Sequence, residues 1–278
     1  MSYLAYHFTV TPPQPGSEIL VAYISECGFD TFDYNALGFN AYVKEEAAGS
    51  INFEDLQFDD FVYTYAIEKI PITNWNEEWE KNFDPIFVDD LLLIRAPFHK
   101  GVKDVANEII IMPKMSFGTG HHQTTRLMCK EMFALDLKHK SVLDMGCGTG
   151  ILAILAKKRG ATRVLGIDID EWSVENSIEN CVVNNCTDIK MLKGNVNLLV
   201  DQKPFDVILA NINKNILKAD VPLYSKQLVA GGKLLLSGFF TTDAGELQEL
   251  TVKNNLFFVS MRHENEWATM VFEKNGNA

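Results

Sequence analysis

Three glycines, Gly146, Gly148 and Gly150, follow a short apolar segment at residues 141–145 and precede a helix-like apolar segment at residues 151–158. Glycines at a strand-to-helix turn allow a ligand to approach backbone amides that have no partner within the helix. The pattern therefore predicts an α/β fold with a binding site at the carboxyl end of its first strand. The alternative is a tight turn that binds no ligand.

The spacing of this turn argues against a dinucleotide. A dinucleotide fingerprint has the form G-x-G-x-x-G, whereas here the third glycine comes one position early and Ile151 occupies the expected place. Asp144 also places a carboxylate just before the turn, where it would repel a pyrophosphate and attract a cation. S-adenosylmethionine carries a positive amino group and a sulfonium, so we predict that it is the ligand.

An acidic residue at the end of the next predicted strand supports this prediction. The strand covers residues 163–168 and ends in Asp168, 22 residues after Gly146. A carboxylate in this position can accept hydrogen bonds from both ribose hydroxyls of an adenosine. Asp170 directly precedes a helix and is interpreted as its N-cap.

Composition narrows the choice of partner and compartment. The chain has 278 residues, which suggests about two domains, and no apolar run approaches the roughly 20 residues that cross a membrane. The first residues do not resemble a signal peptide, and the five cysteines show no C-x-x-C spacing. We therefore expect reduced thiols, no metal site and a cytoplasmic location. The net charge of −12 argues against a nucleic-acid groove and favours a basic partner, although solubility alone would also explain it.

Residues 1–69 show the element order of a small domain. The predicted elements are a strand at 4–10, a helix capped by Ser17 and ended by Gly28, strands at 31–34 and 39–43, a short helix near 53–57 and a strand at 61–67. This β-α-β-β-α-β order is that of a ferredoxin-like α+β domain. Its role is either recognition of a macromolecule or packing.

Residues 70–84 are predicted to form a linker helix. Trp75, Trp79 and Phe83 recur every four residues and would lie along one side of such a helix. A stripe of this kind packs between domains more often than it binds a ligand. The second domain is predicted to cover residues 85–278.

A loop rich in glycine and threonine, residues 116–125, precedes a helix and the glycine turn. We predict that this loop closes over the cofactor; the alternative is a loop that only caps the helix. His121 and His122 are adjacent and cannot share one face of a helix, which argues against a metal-binding pair.

The other segments predict a doubly wound, mostly parallel, seven-stranded sheet with an antiparallel terminal hairpin, as in methyltransferases. They are a helix at 170–184, strands at 188–192, 205–211 and 233–237, a helix at 242–254 and strands at 257–261 and 267–272; strands at 86–95 and 107–112 lead into the second domain before them. The strand that ends in Asn211 lies beside the first strand of such a sheet, at the crevice where ligands bind. Asn195 either contacts an adenine edge or serves the turn in which it lies.

Taken together, these motifs resemble the ribosomal protein L11 methyltransferases (PrmA), a class I S-adenosylmethionine-dependent family. The matching segments are Phe117-Gly118-Thr119-Gly120 with His122 and Thr124-Thr125, Leu143-Asp144 with Gly146-Cys147-Gly148 and Gly150, Gly166-Ile167-Asp168-Ile169-Asp170, and Ala210-Asn211-Ile212. The resemblance is clear from Pro71 to the end and holds in outline before it. The chain departs from the family pattern at Ser116, Gln123 and Asn213.

The resemblance implies that Thr125, Gly146, Asp168 and Asn211 contact the cofactor. The motifs above add Phe117, Gly118, Thr119, Asp144, Gly148 and Asn195 to this set. The implied substrate is ribosomal protein L11, free or on the large subunit, trimethylated on lysine ε-amines and on its N-terminal amine. We expect a cytoplasmic monomer without a DNA or membrane partner.

The implied chemistry is in-line displacement at a sulfonium methyl by a neutral amine. Freeing the lone pair of a lysine at pH 7 costs about 4.6 kcal/mol, against about 1.4 kcal/mol for an N-terminal amine. The sequence marks no residue as a base, and Asn211 is a candidate to orient the amine. The alternatives are a class I methyltransferase acting on RNA, DNA or a small-molecule amine, and a non-catalytic protein that binds the cofactor or the ribosome.

Overall fold

The computed structural model describes residues 3–48, 53, 56–70, 83–101, 105–114 and 116–276. The chain divides into two units, residues 1–83 and 84–278. Residues 71–82 of the predicted linker helix and residues 54–55 of the short helix predicted near 53–57 lie outside the described residues. Within the described residues, no helix has the length and apolar character needed to cross a membrane.

The first unit contains an antiparallel sheet of four strands and a helix. The elements are β1 (Tyr3–Thr11), α1 (Pro13–Ser25), β2 (Phe29–Asn35), β3 (Gly38–Lys44) and β4 (Val62–Ile70). The strand order β2-β3-β1-β4 is that of a ferredoxin-like sheet, as predicted. The alternating residues Tyr6, Phe8 and Val10 of β1 pack in one apolar cluster with Leu20 and Ile24 of α1.

The prediction that Ser17 caps the first helix is wrong. Helix α1 begins at Pro13, and Ser17 lies inside it with its side chain buried. Proline suits the first turn of a helix because its φ angle is already helical and its missing N–H is not needed there. Gln14 interrupts the element with φ and ψ angles of −125° and 136°, so Pro15 opens its continuous part, two residues before the serine.

The second unit begins with a small sheet that is separate from the main one. Its strands are β5 (Ile86–Val88), β6 (Leu92–Arg95) and β7 (Glu108–Ile110), with β5 antiparallel and β7 parallel to β6. The predicted single strand at 86–95 is thus two strands joined by a turn. Helix α2 (Gln123–Ala134) follows.

The main sheet has seven strands in the order β10-β9-β8-β11-β12-β14-β13. The strands are β8 (Ser141–Met145), β9 (Arg163–Asp168), β10 (Lys190–Lys193), β11 (Phe205–Asn211), β12 (Leu228–Phe240), β13 (Leu256–Glu264) and β14 (Trp267–Lys274). The first five in this order are parallel, and β14 is antiparallel to both of its neighbours. This confirms the predicted doubly wound sheet with a terminal hairpin.

Helices cover both faces of this sheet. They are α3 (Ile151–Lys158), α4 (Glu171–Val183), α5 (Lys214–Gln227) and α6 (Ala244–Lys253). Val142 of β8 packs in one apolar cluster with α2, α3 and α4, whereas the adjacent Leu143 packs in the other cluster with α5 and α6. The carboxyl ends of the parallel strands remain uncovered at one edge, and the strand order reverses there between β8 and β11, where α/β sheets bind ligands.

Candidate active site

A cavity of about 540 Å³ lies at this edge, which is the size of a small-molecule site. The strand ends that line it contribute Met145, Ile167, Asp168, Gly194, Asn195 and Asn211. Other lining residues come from the loop before α2, the starts of α4 and α5, and the start of β14. The fold therefore brings together the ends of four strands that are far apart in sequence.

The glycine turn forms one wall of the cavity with bare backbone. Gly146 and Gly148 have φ angles of +67° and +53°. A Cβ atom would meet Ile212 Cγ2 at 2.2 Å in the first case and the Phe117 carbonyl oxygen at 2.2 Å in the second. Both positions require glycine for conformation and for space. The turn can therefore present only its backbone to a ligand.

Asp168 lies where the sequence predicted, on the cavity wall at the end of β9. Its Oδ2 accepts a hydrogen bond from the Gly148 N–H at 2.8 Å, and its Oδ1 accepts one from the Asp170 N–H at 3.0 Å. Each carboxylate oxygen has a second lone pair. The side chain is therefore fixed in orientation and can still accept two hydroxyl groups.

Asp144 lies behind the glycine turn, outside the cavity lining. Its Oδ2 accepts a hydrogen bond from the Ala153 N–H at 3.0 Å, in the first turn of α3. Burial raises the pKa of this carboxyl to about 7. The geometry gives Asp144 a role in holding the start of α3 against β8.

The loop at residues 116–125 is fastened to the glycine turn by Thr149. The Thr149 N–H donates to the Phe117 carbonyl at 2.9 Å, and the Thr149 hydroxyl donates to the Gly118 carbonyl at 2.7 Å. Phe117 lines the cavity, whereas Gly118 and Thr119 line a neighbouring surface hollow of about 480 Å³. Only part of the predicted loop thus reaches the main cavity.

The two threonines of this loop occupy different positions. Thr124 lines the cavity. Thr125 does not, and its buried hydroxyl has no hydrogen-bond partner among the described residues. The resemblance implies a cofactor contact for Thr125, but this residue does not line the cavity. Its hydroxyl has no partner among the described residues that would compete with such a contact.

Two asparagines at strand ends line the cavity, as the sequence suggested. The Asn195 Oδ1 accepts a hydrogen bond from the Asn197 N–H at 3.0 Å, so this side chain serves its own turn as well. The Asn211 Oδ1 is buried and finds no partner within the described part of the chain. Because buried polar atoms are nearly always paired, the Asn211 Oδ1 is suited to accept a hydrogen bond from a ligand.

The charge of the cavity fits a cation. Its lining includes the carboxylates of Asp168, Asp170 and Asp220 and, within the described residues, no lysine or arginine. Burial raises the pKa of Asp220, whose carboxylate accepts a hydrogen bond from the Tyr224 hydroxyl at 3.2 Å. An acidic cavity with an unpartnered acceptor fits the sulfonium and amino groups of S-adenosylmethionine.

Sequence reasoning missed much of the lining, including the polar or aromatic side chains of His122, Trp172, Asp220 and Trp267. His122 is the N-cap of α2 and belongs to a motif quoted above, which is the one signal that could have found it. Asp220 lies in α5, and Trp267 begins β14. Their places in the cavity depend on how the helix and the terminal hairpin pack against the sheet.

Comparison with known proteins agrees with this geometry. Residues 26–275 match the family model described as ribosomal protein L11 methyltransferase (PrmA). A protein named ribosomal protein L11 methyltransferase from Porphyromonas gingivalis is 44% identical to this chain, over 98% of this chain and 98% of that protein. A protein of the same name from Bacteroides thetaiotaomicron is 41% identical, over 98% of this chain and 99% of that protein. A crystal structure of a ribosomal protein L11 methylase from Lactobacillus delbrueckii subsp. bulgaricus matches with a TM-score of 0.64 and 28% identity, over 69% of this chain and 100% of that one.

Proposed function

Since the chain belongs to the ribosomal protein L11 methyltransferase (PrmA) family, we propose that it methylates lysine ε-amines, and the N-terminal amine, of ribosomal protein L11. It is an S-adenosylmethionine-dependent protein methyltransferase. The observation that carries the proposal is the acidic cavity at the strand ends, where the Asn211 side-chain oxygen lacks a partner among the described residues.

In this proposal the cofactor supplies an electrophilic methyl group, and the residues of the cavity hold and orient it. Asp168 receives the ribose hydroxyls, because its carboxylate is already fixed by two backbone amides. Gly146 and Gly148 allow the cofactor to lie against bare backbone. Trp172 and Asn195 lie at the same end of the cavity, since they follow β9 and β10. Asn211 lies at the end of β11 and faces the reacting groups.

Asn211 is suited to orient the incoming amine. Its Oδ1 can accept an N–H from a neutral amine, which leaves the nitrogen lone pair free for attack on the methyl carbon. Alignment of this kind supplies much of the rate enhancement in a displacement that needs no covalent intermediate. The cavity includes no residue that we assign as a general base, so we expect the amine to lose its proton to solvent before transfer.

We propose residues 1–69 as the substrate-recognition domain. Residues 1–70 carry eleven aspartates and glutamates but only two lysines and no arginine, whereas the whole chain has a net charge of −12. This stretch therefore holds most of the negative charge. Ribosomal proteins that bind RNA are rich in basic residues, so the acidic domain is complementary to such a substrate and would attract it over several ångströms.

The face of the first sheet that carries His7 supports this role. His7 of β1 lies within hydrogen-bond distance of the Asn40 Oδ1 at 2.8 Å and of the Glu68 Oε2 at 3.1 Å. These three side chains project from neighbouring strands β1, β3 and β4 and form a polar surface. We further propose that the enzyme works as a monomer in the cytoplasm.

The direct test is transfer of labelled methyl groups from S-adenosylmethionine to three acceptors: purified ribosomal protein L11, large ribosomal subunits, and ribosomal RNA free of protein. We expect label on L11, and comparison of the first two acceptors shows whether free protein or the subunit is preferred. The Asp168→Ala variant serves as the control for cofactor-dependent transfer. Label on RNA, or none on L11, would overturn the proposal.

A further inference from the structure

Three aromatic rings that contact one another line the same cavity as Asn211: Phe117, His122 and Trp267. The centroids of Phe117 and His122 are 5.3 Å apart, and those of His122 and Trp267 are 4.7 Å apart with the rings nearly perpendicular, at 71°. The three rings come from the loop before α2, from the N-cap of α2 and from the start of β14. We call them the aromatic wall.

Two rings of the aromatic wall, those of His122 and Trp267, are held by their surroundings. The His122 Nδ1 lies 2.8 Å from the Thr124 hydroxyl and accepts the Thr124 N–H at 3.3 Å. Trp267 packs on Phe240, with centroids 4.3 Å apart, in the register that pairs β12 with β14. Arg126 of α2 forms an ion pair with Glu264 near the hairpin turn, which fixes the helix to the strand pair. These two rings are therefore preformed, and the half-exposed ring of Phe117 contacts that of His122.

The surroundings of His122 favour its neutral ring, which is not placed to act as a base. Because its Nδ1 accepts the Thr124 N–H, the proton of the neutral ring lies on Nε2, which can only donate. Burial and the nearby Arg126 guanidinium lower the pKa of His122, and a positive charge is also unfavourable at a helix N-terminus. The wall thus presents three uncharged aromatic groups.

We propose that the aromatic wall receives the methylated form of the substrate amine and thereby allows the enzyme to add more than one methyl group to the same nitrogen. This inference rests on the proposed amine methylation. Aromatic faces attract alkylated ammonium groups by cation–π interaction. The attacking amine is neutral, but positive charge develops on its nitrogen as the new C–N bond forms, so the rings act on the transition state of transfer to an alkylated amine. No lysine or arginine among the described lining residues competes for these faces.

The contributions of Asn211 and of the aromatic wall change in opposite directions as methyl groups are added. In each transfer the nitrogen lone pair forms the new C–N bond, the C–S bond breaks and its electron pair remains on sulfur; the ammonium product then loses a proton to solvent before the next round. Each added methyl removes an N–H that Asn211 could accept and adds apolar surface and polarised C–H groups that pack on the rings. The rings therefore matter most for the second and third transfers.

The test compares Trp267→Leu with wild type at saturating cofactor, using full-length protein and ribosomal protein L11, with mono-, di- and trimethylated products resolved at each site by mass spectrometry. We expect the first transfer to slow by less than about threefold and the later transfers by about tenfold, the size of a lost cation–π contact. Trp267→Phe should restore most of the later transfers. Phe257→Leu changes an exposed aromatic residue of β13 outside the cavity lining and should leave the product distribution unaltered.

The outcomes separate this inference from the proposed function. An unchanged product distribution in a folded Trp267→Leu protein, or only monomethylated products from wild type, would overturn the role of the wall while leaving the methyltransferase activity intact. Absence of any transfer to L11 by wild type would overturn both. If Trp267→Leu does not fold, Phe117→Leu gives the same test, since the Phe117 side chain is 53% exposed and its loss should not affect folding.

Discussion

The carboxylate of Asp168 accepts a hydrogen bond from the backbone N–H of Gly148 at 2.8 Å, which joins the end of the second strand of the nucleotide-binding half to the glycine turn that follows the first. The bond aligns two features that the sequence separates by twenty residues. It also explains why the turn needs a positive φ angle at Gly148, because that conformation directs the amide toward β9.

Replacing Asp168 with alanine should weaken S-adenosylmethionine binding by about tenfold or more. The change removes charge-assisted hydrogen bonds of about 1.5–3 kcal/mol to the ribose and frees the Gly148 amide. Titration calorimetry on the folded variant measures the loss. Asp170→Ala is the matched control, since Asp170 lies two residues away on the same wall without fixing the turn, and it should cost less. Equal affinity for wild type and Asp168→Ala would remove Asp168 from the ribose site.

The parts of the site that the sequence predicted are those marked by local pattern. Gly146, Gly148, Asp168 and Asn211 each lie at the end of a strand whose apolar residues are contiguous, so the strand end could be located from the sequence. In a doubly wound sheet such ends converge at one edge. The convergence of these residues followed from the strand order alone.

The orientation of Asp144 was harder to predict. Side chains alternate along a strand, so Asp144 shares a face of β8 with Val142, which packs in the cluster that includes α3. Its carboxylate therefore points to the Ala153 amide and away from the cavity. The face on which Val142 lies was not evident from the sequence, because β8 is apolar on both faces.

Residues contributed by long-range packing could not be predicted. Trp267 meets His122 because the terminal hairpin pairs with β12, and Asp220 reaches the cavity because α5 packs against the sheet. Neither position carries a local motif. The same is true of Asn176 and Asn180 on α4 and of Asn184 at its C-cap, whose side chains bond to the backbone of Met112 or Ile110.

Asn211→Ala should reduce the catalytic efficiency toward L11 with little change in stability. The Asn211 Oδ1 has no partner within the described residues, so its removal costs no intramolecular hydrogen bond. The lost orientation of the amine should lower kcat/KM by about tenfold or more. Single-turnover transfer at saturating cofactor and urea unfolding measure the two effects.

Asn213→Ala provides the comparison. The Asn213 Oδ1 accepts the Asn215 N–H at 2.9 Å as the N-cap of α5, so this variant should lose about 1 kcal/mol of stability. A wild-type rate of transfer by Asn211→Ala at every methylated site would exclude Asn211 from amine positioning.

Asn180→Ala should destabilise the second unit by about 2–4 kcal/mol. The fully buried Asn180 side chain accepts the Met112 N–H at 2.8 Å and donates to the Thr149 carbonyl at 2.9 Å, which joins α4 to the small sheet and to the glycine turn. Its loss leaves both backbone groups unpaired. Urea unfolding measures the change, with exposed Glu175→Ala on the same helix as control. A difference below about 0.5 kcal/mol between the two variants would contradict this role.

The buried carboxyl of Asp144 should make the stability of the protein fall as the pH rises from 5 to 7.5. Burial raises its pKa in the folded state to about 7, from an ordinary value of 3.8. Between these values the folded protein retains a proton that the unfolded chain has released, so the stabilisation is present at low pH and is lost as the pH approaches 7. Over this range the loss is about 2–3 kcal/mol.

Asp144→Asn should remove this part of the pH dependence. The asparagine cannot ionise, and its side-chain oxygen can still accept the Ala153 N–H, so the start of α3 remains held. Unfolding free energies from urea titrations at pH 5, 6 and 7.5 should therefore decline less for this variant than for wild type. Asp188→Asn is the contrasting control: the ion pair with Lys157 lowers the pKa of the exposed Asp188 carboxylate, so its contribution is lost only in more acidic solution. Parallel pH profiles for wild type and Asp144→Asn would show that Asp144 ionises in the folded protein as it does in the unfolded chain.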